Sequence, residues 1–296
     1  MSDVALKPLV CGNPLAKLAK AAIMLEFVNE NYLEERTAQL GENGYKLLSP
    51  LSHFGGNPHL PKDFVWPCAK HGETELVDRP LVFSAQFDLS ELAPFDVDNL
   101  LPHKGLLVFF TIGQMWNFQD YEDSSRVYYF EDIESLAVTA RPPEPPYEEE
   151  HEQESSTLAF HRVCAKAAWT VPDDYDNVLY ESDFTGELSP FGLTKDQMKD
   201  IHDNYEAYYT QLREQDGFEE YDEVPSQLLG WGQYIQSDLV GSSNECLLFT
   251  LSSFFDEKIK DYPLCIGDAG AIYHIMDVSD LKEQKFGEVR SVMDCY

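Results

Sequence analysis

Basic side chains are scarce in this chain: 21 Lys and Arg stand against 53 Asp and Glu, a formal net charge of 21 − 53 = −32. So acidic a surface repels a phosphate backbone, which argues against nucleic acid as a direct ligand; the same charge either serves solubility alone or attracts a basic protein partner and speeds its arrival. Paired cysteines are also lacking. Cys11, Cys68, Cys164, Cys246, Cys265 and Cys295 are scattered singly with no C-x-x-C spacing, so zinc ribbons and thioredoxin-type motifs are excluded. Dispersed cysteines in a chain of this size read as small core hydrophobes in a reducing compartment. Long apolar runs are missing too. Lys17 and Lys20 precede an apolar run that Glu26 ends after five residues, short of the roughly 7–15 of a secretory segment and the ~20 of a membrane span. A soluble, cytoplasmic protein with no membrane partner is the expectation.

Signatures of catalysis and of cofactors are equally thin. "GGNP", "GQYIQS" and "GDAGA" have neither the G-K-[ST] ending of a P-loop nor G-x-G-x-x-G spacing. The serines of "SHFGG" and "SSFFD" lie in no G-x-S-x-G elbow. His53, His59, His71 and His103 fall in one half near Asp88, but none has helical metal-ligand spacing. No cofactor, metal or catalytic residue is assigned.

What the chain does have is 43% hydrophobic residues, with 18 Phe, 16 Tyr and 4 Trp, enough to bury a large core without disulfide or metal staples. "NPLAKLAKAAIMLEFVNENYLEERTAQLGENG" predicts one long N-terminal helix, capped by Asn13, started by Pro14 and stopped near Gly41 and Gly44. Leu15, Leu18, Leu25, Val28 and Tyr32 form its stripe. From residue 47 short β runs take over, at 80–89, 104–113, 125–132, 135–141, 157–171, 244–255, 269–277 and 287–296, each rich in Val, Phe, Tyr, Thr or Leu. "RPPEPPYEEEHEQESS" (141–156) reads as an exposed acidic loop. Thr194 and Gln197 form a capping-box pattern opening a helix at about 194–216. The expected fold is α+β, strand-rich and mainly antiparallel. A helical segment spans 1–45, followed by β-rich halves at 46–172 and 173–296. "PLVFSAQFDL…KGLLVFFTI" and "CLLFTLSSFF…GAIYHIM" share the order strand, polar loop, glycine, strand, which suggests two related halves.

Several stretches then converge: "FGGNPHLPKDFVWP", "PLVFSAQFDLSEL", "LPHKGLLVFF", "LLGWGQYIQ" and the segment from "GDAGAIYHIMD" to the C-terminus. Together, and in order from about residue 50, they resemble the YwqG-like family, a domain of unknown function. The resemblance implies a strand-rich α+β fold with an apparent internal duplication and no established enzymatic activity. It also implies protein-interaction modules, some serving as immunity proteins against toxins, with distant relatives among eukaryotic factors tied to ribosomal-protein handling and cell death.

Three readings stay open. The favoured one is a non-enzymatic interaction module whose acidic surface binds a basic protein. The second is an enzyme or small-ligand binder with a cleft between the halves. The third is a chaperone-like holder of basic clients. Candidate binding residues are Trp66, Gln86 and Asp88 in the first half and Trp231, Gln236 and Asp268 in the second. Gly55, Gly56, Pro58, Pro61, Pro67, Gly105, Gly230, Gly267 and Gly270 read as turn formers that shape the chain's path. Trp66, placed before Pro67, either plugs one end of a sheet or offers an aromatic face to a partner.

Overall fold

In a computed structural model of the chain, the described residues are 6–9, 12–71, 77–111, 124–143, 158–173, 179, 188–189, 191–215, 217–218, 223–236, 239 and 244–296. Seventeen strands follow in chain order: β1 Lys20–Val28, β2 Lys46–Leu47, β3 His53–Phe54, β4 His59–Leu60, β5 Cys68–His71, β6 Val77–Pro80, β7 Val82–Asp88, β8 Leu106–Thr111, β9 Ser125–Phe130, β10 Ala137–Val138, β11 His161–Thr170, β12 Ser226–Leu229, β13 Glu245–Ser252, β14 Phe254–Asp256, β15 Asp261–Leu264, β16 Ala271–Asp277 and β17 Arg290–Asp294. Eleven of them form one sheet in the order β17-β16-β13-β12-β1-β11-β3-β7-β8-β9, with β2 alongside β11. Every pairing in it is antiparallel. The acidic segment expected over 141–156 falls outside the described residues from 144 onward.

The sheet is nearly closed on itself. Its two edge strands, β9 and β17, approach until the hydroxyls of Ser125 and Ser291 are 2.6 Å apart, and the rings of Tyr129 and Phe286 lie 5.5 Å apart. Closure protects the strand edges that an open sheet would expose. The interior is packed with aromatic rings: Phe109 lies 4.6 Å from Phe249, and Phe249 lies 5.4 Å from Phe87. Against both rings packs His274, 5.1 Å from Phe109 and 5.4 Å from Phe249, fully buried and with neither ring nitrogen in hydrogen-bonding geometry. Burial lowers its pKa to about 3.

The long N-terminal helix is not formed. Asn13 does cap as its side chain suggests, accepting from the Leu15 N–H, but the helix it opens is a 3₁₀ turn, Pro14–Leu18. The chain then extends into β1, the strand at the centre of the sheet, and only Leu33–Glu42 is α-helical. The reason is burial on two faces. Ile23 and Leu25 point into the main core, while Ala22, Met24 and Val28 pack outward with Leu40 and Tyr45. An apolar run such as Ala21–Leu25 leaves a helix no polar face but suits a strand buried on both sides. The helix expected over 194–216 is instead two, Lys195–Asp203 and Tyr205–Arg213, broken at Asn204; the Thr194/Gln197 capping box is present. Their apolar faces cover Leu15, Leu18 and Trp231.

Candidate functional site

The Gly/Pro stretch after β3 is built from backbone close approaches. Gly55 (φ +60°) and Gly56 (φ +71°) donate to the carbonyls of Ser84 and Leu158, both at 2.8 Å. A Cβ on Gly55 would stand 2.2 Å from the Ala159 carbonyl oxygen, so no side chain fits there. Pro58, Pro61 and Pro67 contribute carbonyls, to Thr139, Phe64 and Leu81 respectively. Gln86, fully buried, ties this loop down. Its amide donates to the Leu51 carbonyl (2.7 Å) and meets His59 Nδ1 (2.9 Å), while its oxygen accepts from the His59 N–H (2.8 Å). His53 Nδ1 pairs with the Gly55 carbonyl, and burial depresses its pKa to about 4. Asp88 caps a short helix, Leu89–Leu92, by accepting from the N–H and hydroxyl of Ser90.

Trp66 is buried against Phe110, its indole N–H donated to the Leu81 carbonyl at 2.8 Å. It presents no free aromatic face. Arg141 Nε also donates to that carbonyl, at 3.2 Å, so Trp66→Phe leaves the oxygen partnered. The expected cost of Trp66→Phe is therefore modest, about 1 kcal/mol, measured by urea denaturation; a loss above about 3 kcal/mol would mean that the indole N–H organises the loop.

In the second half Trp231 is buried, donates its indole N–H to Leu18 (2.6 Å) and lies under the Lys20 ammonium, 3.5 Å from the ring centre. It lines a cleft of about 270 Å³ together with Tyr205, Tyr209, Arg213 and Gln233. Gln236 is exposed, and its backbone N–H donates to the buried Asp294 carboxylate, as does that of Ile235. Asp268 is exposed in the turn before Gly270, its carbonyl accepting from Tyr296. A Cβ on Gly270 would meet the Asp294 carbonyl at 2.2 Å, while Gly230 and Gly267 have positive φ. Trp66, Gln86 and Asp88 line neither this cleft nor the larger one described next.

The larger cleft, about 340 Å³, lies beside the C-terminal end of β1, between residues 223–226 and 252–258. Its apolar floor is Phe27, stacked on Phe254 at 4.2 Å and on Phe54 at 3.7 Å. Four carboxylates line it, Glu26, Glu223, Asp256 and Glu257, against two cations, Arg36 and Lys258. Arg36 pairs with Glu26 at 3.2 Å; burial pushes the Glu26 carboxyl above the usual carboxylate range, and the guanidinium offsets part of that. Tyr32 donates to Asp256, and Lys258 pairs with Glu35. The Ser226 hydroxyl accepts from the Ser252 N–H, and the buried Ser252 hydroxyl has no partner. None of these residues was singled out as a site from the sequence, because "LEFVNENYLEER" reads locally as continuous helix. The run of five apolar residues ending at Glu26 was the available sign of a strand.

Among the described residues, no three His, Cys, Asp or Glu side chains converge as a metal site. No helix there is long and apolar enough to cross a membrane. Comparison with curated proteins finds no match. Residues 52–295 match the family described as Domain of unknown function (DUF1963), a span that takes in every strand from β3 to β17. The chain belongs to that family.

Proposed function

We propose that this is a non-enzymatic, cytoplasmic protein-interaction module of the YwqG-like kind, whose acidic surface engages a basic protein, as an immunity-type binder does. The observation that carries this reading is the charge of the 340 Å³ cleft, four carboxylates against two cations, on a chain of net charge −32. Such a field steers a basic partner to the surface, and apolar contact with the Phe27–Phe254 floor then slows its departure. Capture from host lysate at ~0.1 M and ~1 M salt, where the Debye length falls from about 10 to 3 Å, tests it. One stoichiometric basic protein, retained at low salt and released at high salt, is the expected result. An empty capture, or one indifferent to salt, would count against it; many weakly held basic proteins would favour a chaperone-like holder.

We further propose that the two β-rich halves are related copies. Matching details support this. The Asp88 N–H donates to the Ser52 hydroxyl as the Ser252 N–H donates to Ser226, both at 3.0 Å. The positive-φ pair Gly55–Gly56 that follows β3 recurs as Leu229–Gly230 at the end of β12. The bulge between Phe83 and Ala85 of β7 recurs between Leu247 and Phe249 of β13.

A further inference from the structure

β1 and β11 are the two central strands, paired in register from Lys20↔Thr170 to Val28↔Arg162. Each carries a short strand on its outer side. On β11 this is β3, at His161 and Arg162, and β2 then continues the coverage at Cys164 and Ala165. On β1 the covering strand is β12, and its register stops at Leu25↔Ser226. The preceding residue, Pro225, has no N–H with which to extend the ladder.

The direction of the next backbone groups follows from the pairing. The Val163 carbonyl accepts from the Leu48 N–H at 2.9 Å, so it points away from β1. Phe27 is the register partner of Val163. Partners in an antiparallel pair point either both toward or both away from each other. The Phe27 N–H and C=O therefore point outward, past the end of β12, into the 340 Å³ cleft that Phe27 lines. The unpartnered, buried hydroxyl of Ser252 lines the same cleft, and Glu223 and Glu257 stand on its walls.

We propose that this open edge of β1 is the docking site for an extended, basic segment of the partner protein, which adds to the sheet as a strand at Phe27. The occupant's chemistry follows from two observations. The excess of carboxylates over cations around the edge selects Lys or Arg, and the Phe27–Phe254 floor accepts an alternating apolar side chain. The corresponding edge of β11 is covered by a segment of just that composition, Lys46-Leu47-Leu48. This inference rests on the interaction reading above and specifies its site.

The probe is therefore the synthetic heptapeptide Ac-GYKLLSP-NH2, the chain's own residues 44–50, titrated into the full-length protein and followed by calorimetry and site-resolved amide exchange. Binding with at least about tenfold slower exchange at the Phe27 N–H is expected. N-methylation of the second leucine, which removes the N–H that Leu48 gives Val163, is expected to weaken binding about tenfold, as are Lys→Glu in the peptide and Glu223→Lys in the protein. Glu223 is exposed, so its variant folds. The proposal is overturned by no binding up to about 1 mM, by equal binding of the N-methylated peptide, or by unchanged exchange at Phe27. Faster exchange at Leu48 would overturn it as well, since that means displacement of β2. If lysate capture succeeds equally with Glu223→Lys while Phe27 exchange stays unchanged, the edge is wrong and the interaction reading stands; if capture also fails, both fall.

Discussion

Removal of residues 1–51, which leaves the family-matching segment 52–295 intact, is expected to abolish folding. The shortened chain should show no cooperative thermal or denaturant transition. The loss is at the centre of the sheet: β1 is the strand that joins β11 to β12, so its absence breaks the hydrogen-bonded ladder between the half built on β11 and the half built on β12. Ile23, Met24, Leu25 and Val28 of β1 are all at most 4% exposed. At about 1.5–3 kcal/mol for each buried side chain, these four contribute about 6–12 kcal/mol, comparable with the whole stability of an ordinary domain, about 5–15 kcal/mol. The truncation would also leave the facing edges of β11 and β12 unpaired, templates for aggregation. Adding a synthetic peptide covering 13–32 is expected to restore a transition whose midpoint depends on peptide concentration. A well-folded 52–296 chain with a midpoint near that of the full chain would refute this account of the sheet.

Acid sensitivity should be steep and centred on His274. An unfolded histidine titrates near 6.5, whereas burial holds His274 near 3 in the folded protein. Between those values the unfolded chain binds the proton and the folded one does not, so stability is complete above about pH 6.5 and falls as the pH drops toward 3. The gap corresponds to about 5 kcal/mol at the acid end. His53, held near 4 by burial, adds about 3 kcal/mol in the same direction by the same arithmetic. Together these approach the whole stability of a typical domain, so the protein is expected to unfold in mild acid. His274→Leu keeps the shape of a space filled by Phe109 and Phe249 and removes two nitrogens that have no hydrogen-bond partner. Stability at pH 7 should be equal or higher by about 1–2 kcal/mol, and the fall between pH 6.5 and 3 should be markedly shallower. Urea midpoints measured at half-unit pH steps decide it. An unchanged pH profile in the variant would mean that His274 is not the sensing group.

The chain's local chemistry carried a good deal of this. Gly55, Gly56, Gly230 and Gly267 do hold positive φ, and the Thr194/Gln197 capping box is where the residues place it. Every strand of five or more residues except β1 lies inside an apolar run that announces it, among them Val82–Asp88, Leu106–Thr111 and Ala271–Asp277. Such features depend on φ preference, on the missing proline N–H and on side chains that reach only their own backbone, so a few consecutive residues determine them.

Tertiary structure decided the rest, because the deciding partners are far apart in the chain. Lys20–Val28 is rich in helix-favouring Ala, Leu and Met, yet Thr170 to Arg162 on one side and Ser226 to Leu229 on the other make it a strand. Trp66, in a Gly/Pro-rich loop, and Gln86, on the strand Val82–Asp88, are candidate binding residues by sequence. Leu51 and Leu81 turn them into internal ties. Composition by itself determined that the protein is strongly acidic and strand-rich. Where that charge meets an open strand edge depends on β12 ending at Ser226 while β2 continues along β11, a non-local register that no short window of residues encodes.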